Sequence, residues 1–150
     1  MTSSSLGNNT ATQIGVVVAD IESSVKAWSL VLGVEPPAII ITDPVESAHT
    51  VYQGKPSPAR AKLAFFHLGQ VDLELIQPLG EPSTWNDQLK AHGSSLHHIA
   101  FEIKGMDEHI HGLEANGLQL VQRGDYTGGR YAYVDGQKEF GAVIELLEND

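Results

Sequence analysis

Two short apolar runs in this chain each carry a glutamate at the centre. One reads Val71-Asp72-Leu73-Glu74-Leu75-Ile76-Gln77, and the other Ala142-Val143-Ile144-Glu145-Leu146-Leu147-Glu148. Runs of this length and composition form buried strands. An ionised carboxylate inside such a strand is costly unless a cation or hydrogen-bond donors compensate it. The two runs look like copies of one another, so a shared cation is the simplest compensation. The obvious cation is a metal.

The copying extends along the chain. Residues 13–18, Gln-Ile-Gly-Val-Val-Val, reappear in kind at 98–103 as His-Ile-Ala-Phe-Glu-Ile. Both segments are rich in β-branched or aromatic residues, lack proline, and read as strands. Ile21, Val25 and Trp28 then match Met106, Ile110 and Leu113. Each set has the i, i+4, i+7 spacing of an amphipathic helix. Asp20 suits the N-cap of the first helix, and Gly33 and Gly117 suit the C-terminal stops. Residues 62–66 resemble 130–134, and a Glu-bearing strand follows each. The chain therefore reads as an α+β protein of two tandem modules, each a strand, a helix and a few strands. The modules cover 11–80 and 95–150, with a connecting helix within 81–94 capped by Ser83 and stopped by Gly93. Residues 1–10, rich in Ser and Asn, read as a flexible tail. The proline-bearing loop 43–59 is either a lid over a site or a surface excursion.

Composition narrows the function. The 150 residues carry 19 acidic and 9 basic side chains, a net charge of -10. Such a surface repels phosphate backbones and argues against nucleic acid as a partner. The apolar stretches are too short to span a membrane. The N-terminus has neither the basic nor the apolar region of a signal peptide. With no cysteine there is no disulfide framework and no thiolate metal site, which fits a cytoplasmic protein.

Each module offers one polar residue that opens its first strand and one in its last strand. These are Gln13 and Glu74, then His98 and Glu145. If the modules pack about a pseudo-two-fold axis, the four side chains converge. Two carboxylates, an amide oxygen and an imidazole suit one divalent ion: Zn, Co, Ni, Mn or Fe. Two positions of an octahedral site would remain for water or substrate. Taken singly, each residue has a plain alternative, since a strand His is often structural and a strand Glu can face solvent. Other candidates are weaker. His97, next to His98, points to the opposite face of an ideal strand. His67 shares its strand face with Leu63 and Phe65, and also fits a surface position. His109 and His111 sit in an acidic helix. Tyr131 and Tyr133 line a pocket or simply pack. Thr127-Gly128-Gly129 is a turn whose amides could hold an anion.

These segments resemble the vicinal oxygen chelate superfamily, which includes glyoxalase I, methylmalonyl-CoA epimerase, extradiol dioxygenases and the fosfomycin and bleomycin resistance proteins. The resemblance rests on 14–22, on Leu32-Gly33-Val34, on Glu74-Leu75-Ile76-Gln77-Pro78-Leu79, on Leu96-His97-His98-Ile99-Ala100-Phe101-Glu102, on Gly128-Gly129 and on Val143-Ile144-Glu145-Leu146. It is nearest to methylmalonyl-CoA epimerase and glyoxalase I. It implies two βαβββ modules forming an eight-stranded cup around a central metal, zinc by preference, and a homodimer. It puts the ligands on Gln13, Glu74, His98 and Glu145. It implies a metal-dependent isomerase or lyase acting on a small carbonyl or acyl-thioester substrate through an enolate, with Glu145 as first choice of base and Glu74 as second. Two departures stand out. Epimerases carry His where this chain has Gln13, and the second carboxylate that some of them use falls near Leu63. The alternative from another class is a cup that sequesters a ligand without chemistry, as bleomycin resistance proteins do.

Overall fold

The computed structural model describes residues 5–150. Strand β1 (Ala11–Val17) leads into helix α1 (Ile21–Leu32) and a short strand β2 (Ile40–Ile41). The next segment contains α2 (Val45–Ala48), β3 (Val51–Tyr52) and β4 (Lys55–Pro56). The long hairpin β5 (Arg60–Leu68) and β6 (Val71–Leu79) follows, then α3 (Thr84–His92). The second half runs β7 (Ser95–Glu102), α4 (Met106–Glu114), β8 (Leu120–Tyr126), β9 (Gly129–Val134), α5 (Gln137–Phe140) and β10 (Val143–Asn149).

All strands join one curled sheet, a half-barrel, in the order β2-β5-β6-β1-β7-β10-β9-β8-β3-β4. The internal duplication is visible in the pairing. β1 runs parallel to β6, β7 runs parallel to β10, and β1 and β7 pair antiparallel at the centre. Eight strands follow the expected βαβββ pattern. The other two, β3 and β4, come from the 43–59 loop. That segment leaves the first module and pairs β3 with β8 of the second, Val51 opposite Arg123 and Tyr52 opposite Gln122.

The helices form where their patterns and caps require. Asp20 accepts from the Ser23 amide at 3.3 Å to start α1, and Gly33 ends it in the left-handed region. Ser83 accepts from the Asn86 amide at 3.0 Å to start α3, and Gly93 follows its last turn. α4 ends at Glu114, short of the expected stop at Gly117, which lies in the turn beyond. Its N-cap position is Gly105, which has no side chain to cap with. Glu148 of β10 reaches across instead, accepting from the Gly105 amide at 2.7 Å and the Met106 amide at 3.3 Å.

Three apolar clusters hold the sheet. Ile21 and Val25 of α1 pack on Ala64, Phe66, Leu73 and Leu75 behind the first module. Met106, Ile110 and Leu113 of α4 pack on Ala132, Val134 and Leu146 behind the second. The third cluster sits inside the cup and joins both halves: Val17, Ala61, Ile76, Trp85, Tyr133 and Val143. Of the expected tail, residues 1–4 lie outside the described residues. Leu6 packs against the second cluster, and the Asn8 amide donates to the Glu102 carbonyl at 2.8 Å. Among the described residues, no helix is long and apolar enough to cross a membrane.

Candidate metal centre

Strand alternation sends Gln13 and Val17 of β1, Glu74 and Ile76 of β6, and Val143 and Glu145 of β10 into the cup. His98 joins them from β7. The four predicted ligand residues meet there. His98 Nε2 lies 2.9 Å from Glu145 Oε2, 3.4 Å from Glu74 Oε1 and 2.9 Å from Gln13 Oε1. His98 is fully buried, and both carboxylates are nearly so. Gly15 makes room for the ring. A Cβ on Gly15 would fall 2.0 Å from His98 Cε1.

The spacing suits a cation. Donor atoms about 2.1 Å from one octahedral ion sit about 3 Å from their neighbours. The Gln13 side-chain amide faces the two carboxylates and the imidazole, its oxygen 2.9 Å from His98 Nε2, a hydrogen bond when that nitrogen carries a proton. Turned over, its NH2 would donate to Glu145 Oε2 at 2.8 Å and Glu74 Oε1 at 3.3 Å. In either orientation the amide presents a polar atom to the carboxylates and the imidazole.

Electrostatics agree. Burial alone would lower the His98 pKa, but the Glu145 charge, with hydrogen bonds to Glu145 and Glu74, pushes it up to about 10. Burial raises the Glu74 carboxyl, and the neighbouring His98 partly offsets that. In the absence of a metal the imidazolium therefore serves as the cation between the carboxylates. Burial, and then the charge of His98, drive His97 well below the usual imidazole range, so it is neutral.

His97 departs from expectation. In β1–β7 pairing, Gly15 lies opposite His98 and Val16 opposite Leu96, so His97 is an extra residue on its strand. This β-bulge breaks the alternation that would have turned it away. His97 is fully buried, with Nδ1 2.8 Å from His98 Nδ1 and Nε2 3.1 Å from Thr84 Oγ1. The helix between the modules thus belongs to the site. Besides Thr84, it provides Trp85, whose Nε1–H donates to the Tyr133 hydroxyl at 2.9 Å. The Tyr133 ring lies 5.2 Å from that of His98 and 4.9 Å from that of His97. Burial raises the pKa of Tyr133 well above the usual phenol range, so it stays neutral. A cavity of about 320 Å³ opens beside this network, lined by Tyr52, Thr84, Asp87, His97, Asp135 and Val143.

The remaining candidates lie apart. His67 is exposed and pairs with Asp72 at the strand end. His109 and His111 are on α4, away from the cup. Thr127 and Gly128 form the β8–β9 hairpin turn, where the missing Cβ of Gly129 would lie 2.5 Å from the Glu148 carbonyl oxygen. Sequence reasoning passed over Thr84, Trp85 and the inward turn of His97, because a bulge and a helix docking leave no mark in local periodicity.

A curled sheet of paired modules surrounds a buried His-carboxylate cluster that could hold a metal ion. The model of the Glyoxalase/Bleomycin resistance protein/Dioxygenase superfamily matches residues 12–134, and the chain belongs to that superfamily, the vicinal oxygen chelate group. Among curated relatives, the uncharacterized protein YqjC of Bacillus subtilis (strain 168) is 29% identical over 143 residues, covering 93% of this chain and 92% of that protein. Among solved structures, a hypothetical protein from Bacillus halodurans C-125 superposes with a TM-score of 0.66 at 23% identity, covering 94% of each chain. Methylmalonyl-CoA epimerase from Mycobacterium tuberculosis does so at 0.62 and 20% identity, over 93% of this chain and 87% of that one. A single-residue variant of Streptomyces coelicolor methylmalonyl-CoA epimerase, in complex with 2-nitronate-propionyl-CoA, gives 0.63 and 19%, over 94% of each. At these identities the structural likeness is one of fold.

Proposed function

We propose that this protein is a metal-dependent isomerase or lyase that acts on a small carbonyl or acyl-thioester substrate through an enolate. The observation that carries the reading is the convergence of Gln13, Glu74, His98 and Glu145 in one buried cluster. In this reading these four hold one divalent ion, zinc by preference. When bound, that ion supplies Lewis acidity and stabilises negative charge developing on a substrate oxygen.

The chain's own residues do the rest. A Glu145 carboxylate oxygen takes the proton from the carbon beside the carbonyl and returns it. Return to the other face gives epimerisation, return to the adjacent carbon gives a glyoxalase-type isomerisation, and expulsion of a β-leaving group gives a lyase. Glu74 is the second candidate base; its burial raises its proton affinity, as a base requires. Gln13 and His98 keep their places throughout, and Trp85 and Tyr133, joined by a hydrogen bond at 2.9 Å, pack beside them. The reading further includes a cytoplasmic homodimer, whose subunit number light scattering would give.

The experiment is metal content by mass spectrometry on protein purified without chelator or metal-affinity column, beside Glu145→Ala. About one ion per chain, lost in the variant, is expected. A screen of 2-oxo-thiohemiacetals and 2-substituted acyl thioesters then follows, in which Glu145→Gln should lose nearly all turnover while keeping its fold, read by circular dichroism. No uptake by the parent, even after dialysis against Zn, Co and Mn, would favour the non-catalytic, ligand-sequestering cup.

A further inference from the structure

His97 has no task in the reaction just described, yet it is fully buried against a residue of the site. Each of its ring nitrogens has one partner: Nδ1 faces His98 Nδ1 at 2.8 Å, and Nε2 faces Thr84 Oγ1 at 3.1 Å. Two ring nitrogens that close must share a single proton, because two N–H groups would collide and two lone pairs would repel. When both rings are neutral, only two arrangements remain. In one, His98 carries the proton on Nδ1 and donates it to His97. In the other, His97 donates, His98 Nδ1 is a lone pair, and the remaining His98 proton sits on Nε2.

His98 Nε2 is the nitrogen that faces Gln13, Glu74 and Glu145. Only the first arrangement leaves its lone pair available to a cation. That arrangement also makes His97 the Nε2–H tautomer, which donates to Thr84 Oγ1. Thr84 is itself fixed. Its backbone amide donates to the buried Gln122 Oε1 at 2.8 Å, and the Gln122 amide donates to the Tyr131 hydroxyl at 3.0 Å. Thr84 also stands in the first turn of α3, behind the Ser83 cap. The rigid end of the connecting helix thus reaches the centre of the cup through two imidazole rings.

We propose that His97 is a positioning residue: held by Thr84 as the Nε2–H tautomer, it accepts the Nδ1–H of His98 and keeps His98 Nε2 aimed at Gln13, Glu74 and Glu145. The inference rests on the metal reading of the site. Outer hydrogen-bond partners of metal-binding histidines act in this way, fixing tautomer and ring orientation.

Two measurements on the full chain test it. The first is Zn or Co affinity by competition with a chromogenic chelator, for the parent, His97→Leu and His97→Gln. Leu fills the space without accepting a proton. A Gln oxygen can accept from His98 while its NH2 donates to Thr84. His97→Leu should weaken the metal by about 10- to 100-fold, and His97→Gln should stay within about threefold of the parent. Parental affinity in His97→Leu would overturn the proposal. So would equal loss in both variants, which marks a packing role. The second is long-range proton–nitrogen NMR of the histidine rings in metal-free protein, followed as pH is raised until the His98 imidazolium loses one proton. Loss from Nε2, leaving Nδ1 protonated beside a bare His97 Nδ1, supports the proposal, and loss from Nδ1 overturns it. Should the parent bind no metal, the functional reading fails on its own, and the ring tautomers still decide this one.

Discussion

At the residue scale, one imidazole lies between two buried carboxylates, and its charge state decides what else can enter. The His98 pKa stands at about 10 against an ordinary 6.5, because the Glu145 and Glu74 contacts outweigh burial. The site therefore holds a proton at neutral pH. The folded pKa is raised, so the ion triad's contribution to stability is complete below about 6.5 and is lost as pH rises through about 10. Under the proposed metal reading, the ion displaces that proton. Calorimetry of metal binding at pH 7, in buffers of differing ionisation enthalpy, should show about one proton released per ion, with affinity rising with pH. Binding without proton release would place the metal elsewhere. Gly15 is the second residue-scale constraint. A methyl group there meets the His98 ring at 2.0–2.4 Å. Gly15→Ala should cost about 1–3 kcal/mol in a urea melt through overpacking and should abolish tight metal binding. Unchanged affinity in that variant would mean that His98 is not the ligand.

At the scale of elements, the two modules differ in how their helices begin. Asp20 caps α1 locally, whereas α4 starts at Gly105 and borrows the Glu148 carboxylate from the final strand. Glu148 also pairs with Arg130 Nη1 at 3.0 Å. Backbone hydrogen bonding from Gly105 holds its pKa below the ordinary range, with the Arg130 contact adding to the effect. Glu148→Gln should destabilise the fold by about 1–2 kcal/mol at pH 7, the usual worth of a charged cap. The folded pKa is depressed, so this contribution is present above the carboxylate range and fades as pH falls through the folded value. Paired urea melts of parent and variant at neutral pH and near pH 3 would check both statements. A gap that persists in acid would point to packing.

At the scale of the whole molecule, the site exists only where the two copies meet. Gln13 and Glu74 come from one half, His98 and Glu145 from the other, and the central β1–β7 pairing joins them. The apolar cluster within the cup likewise takes Val17, Ala61 and Ile76 from one half, Tyr133 and Val143 from the other, and Trp85 from the helix between. The β3–β4 hairpin crosses as well, extending the second half's edge with strands from the first. Residues 1–80 and 81–150 expressed apart should therefore each give poorly dispersed amide spectra and no cooperative melt, and mixing should restore both. A half that melts cooperatively alone would show that the modules are independent.

Much of this was legible in the chain. Period-two and period-3.6 patterns mark strands and helices because burial is decided locally, one face at a time. Asp20, Ser83, Gly33 and Gly93 cap their helices because capping needs only near neighbours. The repeated pattern placed Gln13 with His98 and Glu74 with Glu145, since a duplicated fold puts equivalent positions about one axis. What the chain could not announce depends on contacts between segments distant in sequence. The bulge at His97 is a property of how β7 registers against β1, and it turned a residue expected to face outward into the neighbour of His98. The 43–59 segment joined the far edge of the sheet because β8 there presented unpaired backbone groups. Thr84 and Trp85 reached the site because α3 docks across both modules. The order of residues thus carries the repeat, its elements and the four converging side chains. Which hydrogen bonds aim those side chains is settled in three dimensions, because a hydrogen bond's direction depends on the relative placement of two strands and a helix that no local pattern encodes.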